Sequence, residues 1–140
     1  MKPERAIIVL LEGNADWNNT INGRLYPVQA PQGVDMPYVT FEKLTGDKPP
    51  RMDGKETTRH DVFQLTAYSE SAEELKDIVA LMVDILDGFD SGIVTDDPDS
   101  LDVFWIGYES DSDENERPIG GKGQAPYRAD VEFNMSYRRN

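Results

Sequence analysis

The sequence SAEELKDIVALMVDILDG, residues 71–88, carries the strongest structural signal in the chain. Its apolar residues recur at intervals of three and four, which is the period of an amphipathic α-helix with one buried face. Ser71 and Glu74 match a capping box, in which the serine side chain accepts from an exposed N–H group and the glutamate reaches back. Gly88 is a typical C-terminal cap. The pattern predicts a helix over residues 72–87.

Two segments before this helix have the composition of strands. Residues 38–44 (YVTFEKL) are rich in β-branched and aromatic residues, and residues 59–68 (RHDVFQLTAY) alternate apolar and polar side chains. Residues 46–57 contain Pro-Pro and Asp-Gly, which favour turns. The two segments are therefore predicted to pair as an antiparallel hairpin with a long tip.

The chain after the helix alternates between polar and apolar segments. Residues 90–100 are predicted to form an acidic turn, and residues 101–108 (LDVFWIGY) a third strand. Residues 110–125 are polar and rich in glycine, which favours a loop. From residue 127 to residue 138, apolar and polar side chains alternate strictly, as in a strand with one buried face.

Two further segments complete the predicted architecture. Pro3 and the apolar spacing behind it predict a short helix over residues 3–12, and the breakers in residues 22–37 predict a loop. The predicted class is α+β. It consists of a single antiparallel β-sheet of about four strands with two helices packed on one face, in the order α-β-β-α-β-β. The length of 140 residues predicts a single domain over residues 1–140.

Composition narrows the possible functions. The chain has no cysteine and one histidine, so cysteine-based chemistry and histidine-rich metal sites are excluded. The net charge is −13, and residues 77–116 contain 13 acidic residues and no Lys or Arg. Direct binding to nucleic-acid phosphates is not expected, because it requires clustered Lys and Arg side chains. The low hydropathy predicts a soluble protein without a signal sequence or membrane span.

Three patterns that could carry chemistry fit simpler interpretations better. His60 falls on the polar face of its strand, and no serine or carboxylate spacing around it forms a triad. The acidic runs at residues 96–99 and 111–114 lack the glycine and terminal glutamate of a calcium loop. Residues 120–123 (GGKG) precede a strand, whereas a phosphate loop precedes a helix. No catalytic, metal or cofactor residue is predicted.

Charged residues near the predicted hairpin tip allow two interpretations. The bland one is a solvated turn. The other is a basic projection that meets an acidic face on a neighbouring copy, in a head-to-tail contact that closes a ring. The candidate interface residues are Lys48, Arg51, Lys55 and Arg59 on the basic side and Asp96, Asp97, Asp99, Asp111, Asp113 and Glu114 on the acidic side.

A resemblance to a known family rests on three short motifs and their order. These are GRLYP at residues 23–27, APQG at residues 30–33, and MPYV at residues 36–39 followed by Phe41. With the helices and the closing strand around them, they resemble the small bacteriophage neck proteins known as tail-completion, tail-terminator or head–tail joining proteins. The resemblance covers nearly the whole chain.

The resemblance implies a structural protein without enzymatic activity or cofactor. Such proteins form rings, usually of six subunits, between head-side connector or adaptor proteins and the tail-tube protein. The ring would be assembled in the host cytoplasm, become part of the virion, and surround a channel through which DNA passes without specific binding. An acidic lumen would suit that passage.

Two other function classes stay open on sequence grounds. A compact and strongly acidic protein could mimic DNA and occupy the basic groove of a host nucleic-acid enzyme. Such mimics need ordered acids at phosphate-like spacing, whereas many acids here fall in predicted loops. An enzyme is the third alternative, and carboxylate-dependent hydrolysis would be its sign.

Overall fold

The computed structural model describes residues 2–47, 58–115 and 127–138. For residues 45–47, 111 and 113–115 it describes the backbone alone. The helices are α1 (Pro3–Glu12), α2 (Ala15–Ile21) and α3 (Ala72–Leu86). The strands are β1 (Leu25–Pro27), β2 (Tyr38–Asp47), β3 (Thr58–Ser69), β4 (Phe89–Asp96), β5 (Asp99–Asn115) and β6 (Tyr127–Arg138).

The described strands form one curled sheet in the order β1-β2-β3-β6-β5-β4. β1 pairs with β2 in parallel, and every other neighbouring pair is antiparallel. The predicted antiparallel sheet of about four strands with two helices, in the order α-β-β-α-β-β, is therefore wrong. The sheet is mixed and has six strands, and three helices accompany it.

The errors have physical causes. Residues 90–96 were predicted as turn because of their acids, yet they form most of β4. Residues 110–115 were predicted as loop because they are polar, yet they extend β5, where they pair with β6 on one side. β1 lies within the predicted loop, and its three residues are too few for a sequence period. Residues 116–125 of that predicted Gly-rich loop lie outside the described residues.

Four predictions from periodicity are confirmed. α1 has the predicted bounds, and α3 ends at Leu86, one residue earlier than predicted. β2 and β3 pair as the predicted antiparallel hairpin, and β6 alternates buried and less buried residues as expected. Gly88 follows the C-terminal cap of α3 with a φ of +78°, a conformation that glycine adopts without strain.

The predicted capping box is built differently at the start of α3. The Ser71 hydroxyl accepts from the N–H of Glu74 at 3.3 Å, as predicted. The Glu74 side chain accepts from the hydroxyl of Ser69 at 2.7 Å, and this same hydroxyl accepts from the N–H of Ser71 at 3.1 Å. The buried Ser69 hydroxyl thus lies between the two groups: it accepts from the Ser71 N–H, which Glu74 was expected to bind directly, and it donates to Glu74.

The core lies between the helices and one face of the sheet. α3 packs across β3, β6 and β5, while α1 packs over β4 and β5. Phe63 and Phe133 are register partners at the centre of the sheet and are fully buried. Trp17 and Ile21 of α2 complete the core beside the other helices. The opposite face of the sheet carries the polar side chains that alternate with the buried ones along the strands. His60 lies on this polar face, as predicted.

Candidate functional site: the ends and edges of the sheet

The predicted basic residues surround the connection between β2 and β3. Lys48, Arg51 and Lys55 lie outside the described residues. Arg59 is partly buried on β3, where its register partner on β6 is Tyr137. Its Nε atom is buried and has no hydrogen-bond partner among the described residues. Arg59 therefore sits where the hairpin emerges from the core.

The first group of predicted acids lies at the turn between β4 and β5. Asp96 and Asp99 are register partners on either side of that turn, and Asp97 is exposed within it. The Asp96 carboxylate accepts from Arg5 Nε of α1 at 2.7 Å, in an ion pair that is largely open to solvent. The turn is thus fixed to the first helix through one of its acids.

The second group of predicted acids lies at the other end of β5. Asp111, Asp113 and Glu114 are opposite Val131, Ala129 and Arg128 of β6. Asp99 and Glu114 are fifteen residues apart on one strand, which corresponds to about 50 Å at ~3.3 Å per residue. The structure therefore separates the predicted acids into two groups at opposite ends of the sheet.

The described ends of β2 and β3 share one end of the sheet with the acidic turn. Thr58 at the start of β3 is level with Arg138 at the end of β6, and Arg138 Nε lies 3.7 Å from a carboxylate oxygen of Asp102 on β5. The β4–β5 turn extends beyond this row, and β2 and β3 lie on the other side of β6. The strand ends that flank the predicted basic residues 48–55 and the acidic turn are thus on opposite sides of β6 at the same end of the sheet.

A buried polar group, which the sequence analysis missed, anchors the same end. The Tyr137 hydroxyl donates to Asp61 Oδ2 at 2.8 Å, and Asp61 is 1% exposed. Burial, followed by the hydrogen bond to Asp61, raises the pKa of Tyr137 to about 12. The signal was present in the sequence, because Asp61 is in phase with the buried Phe63 and Leu65 on their alternating strand.

The described residues offer little for ligand chemistry. They contain no group of three His, Cys, Asp or Glu side chains that could hold a metal ion. His60 Nδ1 lies 2.6 Å from the Ser136 hydroxyl on the exposed face, with no carboxylate completing a triad in the bonds found there. A groove of about 500 Å³ between α2 and α3 is open and lined mainly by acids and small residues. None of the described helices is long and apolar enough to span a membrane.

Comparison with known proteins identifies the family. The sequence pattern of the family described as "Tail completion protein gp17" matches residues 5–138. A search of curated proteins found no significant match. Among solved structures, a chain from the "Virion of native gene transfer agent (GTA) particle" has the same fold, with a TM-score of 0.71 and 14% sequence identity. The alignment covers 98% of this chain and 95% of that chain.

The chain belongs to the tail-completion family, because the match spans nearly its whole length. It is a bacteriophage virion component with a structural role in the tail or neck. The resemblance stated from the motifs at residues 23–41 is thereby confirmed. Its place in the virion implies association with other phage structural proteins.

Proposed function

We propose that the chain is the repeating subunit of a neck ring that completes the tail, joins it to the head and surrounds the DNA channel. Its partners would be further copies of itself, a head-side connector or adaptor protein, and the tail-tube protein. Six copies is the number that the family resemblance favours. The subunit would act by shape and charge alone, without catalysis or cofactor.

The observation that carries the proposal is the placement of two strand ends. β2 ends at Asp47 and β3 begins at Thr58 at the end of the sheet that also carries the acidic turn at residues 96–99. The basic residues 48, 51 and 55 follow in sequence between those two strand ends. A rotation about an axis roughly parallel to the strands brings the hairpin of one copy against the turn of the next without a rise. A head-to-tail contact of that kind closes into a ring, whereas a contact with a rise gives an open filament.

The charge of the chain supports the role around DNA. The net charge of −13 gives a subunit that repels phosphates, and six copies would surround the channel with a negative field. DNA could then pass without the salt-dependent binding that clustered Lys and Arg side chains produce. The basic hairpin, engaged by the neighbouring subunit, would be withdrawn from the DNA.

Charge reversal at the hairpin tests the contact. In the double variant Arg51→Glu/Lys55→Glu, we expect native mass spectrometry to show loss of the oligomer. The matched control is Lys2→Glu/Lys76→Glu, which changes the net charge equally at two exposed positions far from the tip. Reversal of Asp97 and Asp99, the two exposed acids of the turn, to lysine in the first variant should restore assembly. Full assembly of Arg51→Glu/Lys55→Glu would refute the charged contact.

Electron microscopy of particles made without the chain tests the role itself. We expect filled heads and tube-bearing tails that are not joined. Joined, infectious particles would contradict the proposal. Tight binding of the purified chain to a basic nucleic-acid enzyme at physiological salt would instead support the DNA-mimic alternative.

A further inference from the structure

The first lateral edge of the sheet is stepped. β1 covers β2 only between Val39 and Phe41. Beyond that point, residues 42–47 of β2 have no strand beside them on this side among the described residues. We define the first edge as residues 24–28, which include β1, together with residues 42–47 of β2. The upper half is the half in which β2 begins, and there β1 adds a strand. In the lower half no described strand is added, and we call this uncovered part the recess.

The second lateral edge is stepped in the opposite sense. β4 covers β5 only up to Ile106, which pairs with Phe89. Residues 107–115 of β5 have no described strand on that side, and the Tyr108 N–H donates instead to the Asp87 side chain at 2.8 Å. We call β4 and residues 107–115 the second edge. It has its recess in the upper half and its extra strand in the lower half.

The register across the sheet shows which parts of the two edges are level. Phe41 aligns with Leu65, Val131 and then Asp111, so β1 is level with the recess of the second edge. Gly46 aligns through Asp61, Met135 and Ile106 with Phe89, so β4 begins level with the last two described residues of β2. Without a shift along the strands, the outlines therefore match at β1 and at residues 46–47, whereas residues 42–45 are level with residues 107–110, where neither edge carries an extra strand among the described residues.

We infer that the sheet continues from one copy of this chain to the next through these stepped edges. β1 of one copy would lie beside residues 111–113 of its neighbour, and residues 46 and 47 would lie beside the first two residues of the neighbour's β4. The strand directions make the upper contact antiparallel and the lower contact parallel, and both pairings occur in sheets. This inference rests on the proposed ring and specifies which strands form its contact.

Exposed apolar side chains mark the same edges. Five large apolar residues among the described ones are exposed, and four of them lie on the edges: Val28 (70%), Leu44 (41%), Ile93 (69%) and Tyr108 (37%). The first edge contributes one residue to each half, and so does the second edge. The fifth, Trp105 (46%), lies where β4 covers β5, opposite Asp90, and so on neither edge. Apolar groups concentrated at open strands indicate an interface.

Backbone strain at Val28 points the same way. Val28 has a φ of +62°, a left-handed conformation that a β-branched residue adopts only at a cost. Its N–H donates to Phe41 O at 2.9 Å, which holds the strained residue at the end of β1. Val28 is 70% exposed, so its side chain is available for contact with a neighbouring copy.

Charge determines which edges can meet. The first edge is neutral, since Arg24 and Lys43 balance Glu42 and Asp47. The second edge contains only acids: Asp90, Asp96, Glu109, Asp111, Asp113 and Glu114. Two second edges would repel each other, whereas a second edge can meet a first edge without that cost. The charges therefore disfavour a symmetric contact through two second edges.

Engineered cysteines test the strand contact, because the chain has none of its own. Neighbouring antiparallel strands place Cα atoms about 4.5–5.5 Å apart, within disulfide range. We would combine Val28→Cys with Tyr108→Cys, Ser110→Cys or Ser112→Cys in turn. Mild oxidation of the oligomer should give a covalent ladder with one of the three. The mismatched control is Val28→Cys/Ile93→Cys, which joins opposite halves.

A second variant separates interface from stability. Asparagine tolerates the left-handed region, so Val28→Asn should leave the melting temperature unchanged or higher. The oligomer should nevertheless dissociate at about tenfold higher protein concentration, the equivalent of ~1.4 kcal/mol. Trp105→Asn, which replaces an exposed apolar residue that lies on neither edge, should leave that concentration unchanged.

The outcomes distinguish the two proposals. An intact oligomer that gives no ladder with the matched cysteines, or a ladder only with the mismatched pair, overturns the strand contact and leaves the ring standing. Dissociation caused by Trp105→Asn and not by Val28→Asn would likewise overturn the strand contact and leave the ring standing. A chain that shows no oligomer before oxidation, alone or in particles, overturns the ring and the strand contact together.

Discussion

Replacing Tyr137 with phenylalanine removes a single hydroxyl from the end of the sheet that carries the hairpin. That hydroxyl donates to Asp61 Oδ2 at 2.8 Å, and Tyr137 is 7% exposed. Its loss leaves a buried carboxylate, whose Oδ1 has no partner among the described residues, with one bond fewer. Hydrogen bonds to charged groups contribute about 1.5–3 kcal/mol, so the variant should lose roughly that much stability at neutral pH.

The pH dependence gives a sharper test. The pKa of Tyr137 is raised from 10.0 to about 12, so the folded protein keeps a proton that the unfolded chain releases near pH 10. The stabilisation is therefore complete below pH 10 and is lost as the pH rises towards 12. A shift of two units corresponds to about 3 kcal/mol. The variant Tyr137→Phe should lack this alkaline loss.

Urea unfolding at pH 8 and at pH 11 measures the effect. The free energy of unfolding of the native chain should fall more steeply between these values than that of Tyr137→Phe. The other five tyrosines are present in both proteins, so their contribution cancels in the comparison. Equal alkaline losses in the two proteins would refute the assignment of Tyr137 as a buried donor to Asp61.

Three further predictions concern the core, a cap and the assembly. Phe133→Ala empties the centre of the sheet and should cost about 3–5 kcal/mol in urea unfolding, while Phe133→Leu should cost clearly less. Ser71→Ala removes the cap of α3 and should cost about 1 kcal/mol, against no change for the exposed Ala72→Ser. If opposite charges hold the ring, 1 M salt should shift the oligomer distribution in native mass spectra towards monomer, because the screening length is then only about 3 Å. An unchanged distribution would exclude charge as the main contact.

The sequence predicted those elements whose buried face repeats with a clear period. α3 presents Leu75, Ile78, Met82 and Leu86 to the core, and β6 buries every second residue from Ala129 to Tyr137. Such patterns need only local information. The resemblance at residues 23–41 added the family, which no period could indicate.

The elements that escaped prediction depend on partners distant in sequence. Residues 110–115 are polar and become strand because β6 pairs with them. β4 has only Val94 buried along its length, so alternation is too weak to see. α2 has seven residues, and its start is set by Asn14, whose side chain accepts from Trp17 N at 3.0 Å.

The interface residues show the same limit. In the sequence, the acids of residues 77–116 form one segment, and the six predicted acids look equivalent. The structure puts Asp96, Asp97 and Asp99 at the end of the sheet where β2 ends and β3 begins, and it places the other three at the far end of β5. The stepped outline of the sheet, on which the proposed contact depends, follows from the strand order alone and has no local signal.

Native mass spectrometry of the purified chain over a concentration series tests the central claim most directly. The account predicts a closed oligomer of defined number, expected to be a hexamer, that gains population with concentration and has no larger open species above it. A strict monomer at every concentration, or a continuous series of ever larger oligomers, would contradict it, because neither is a ring.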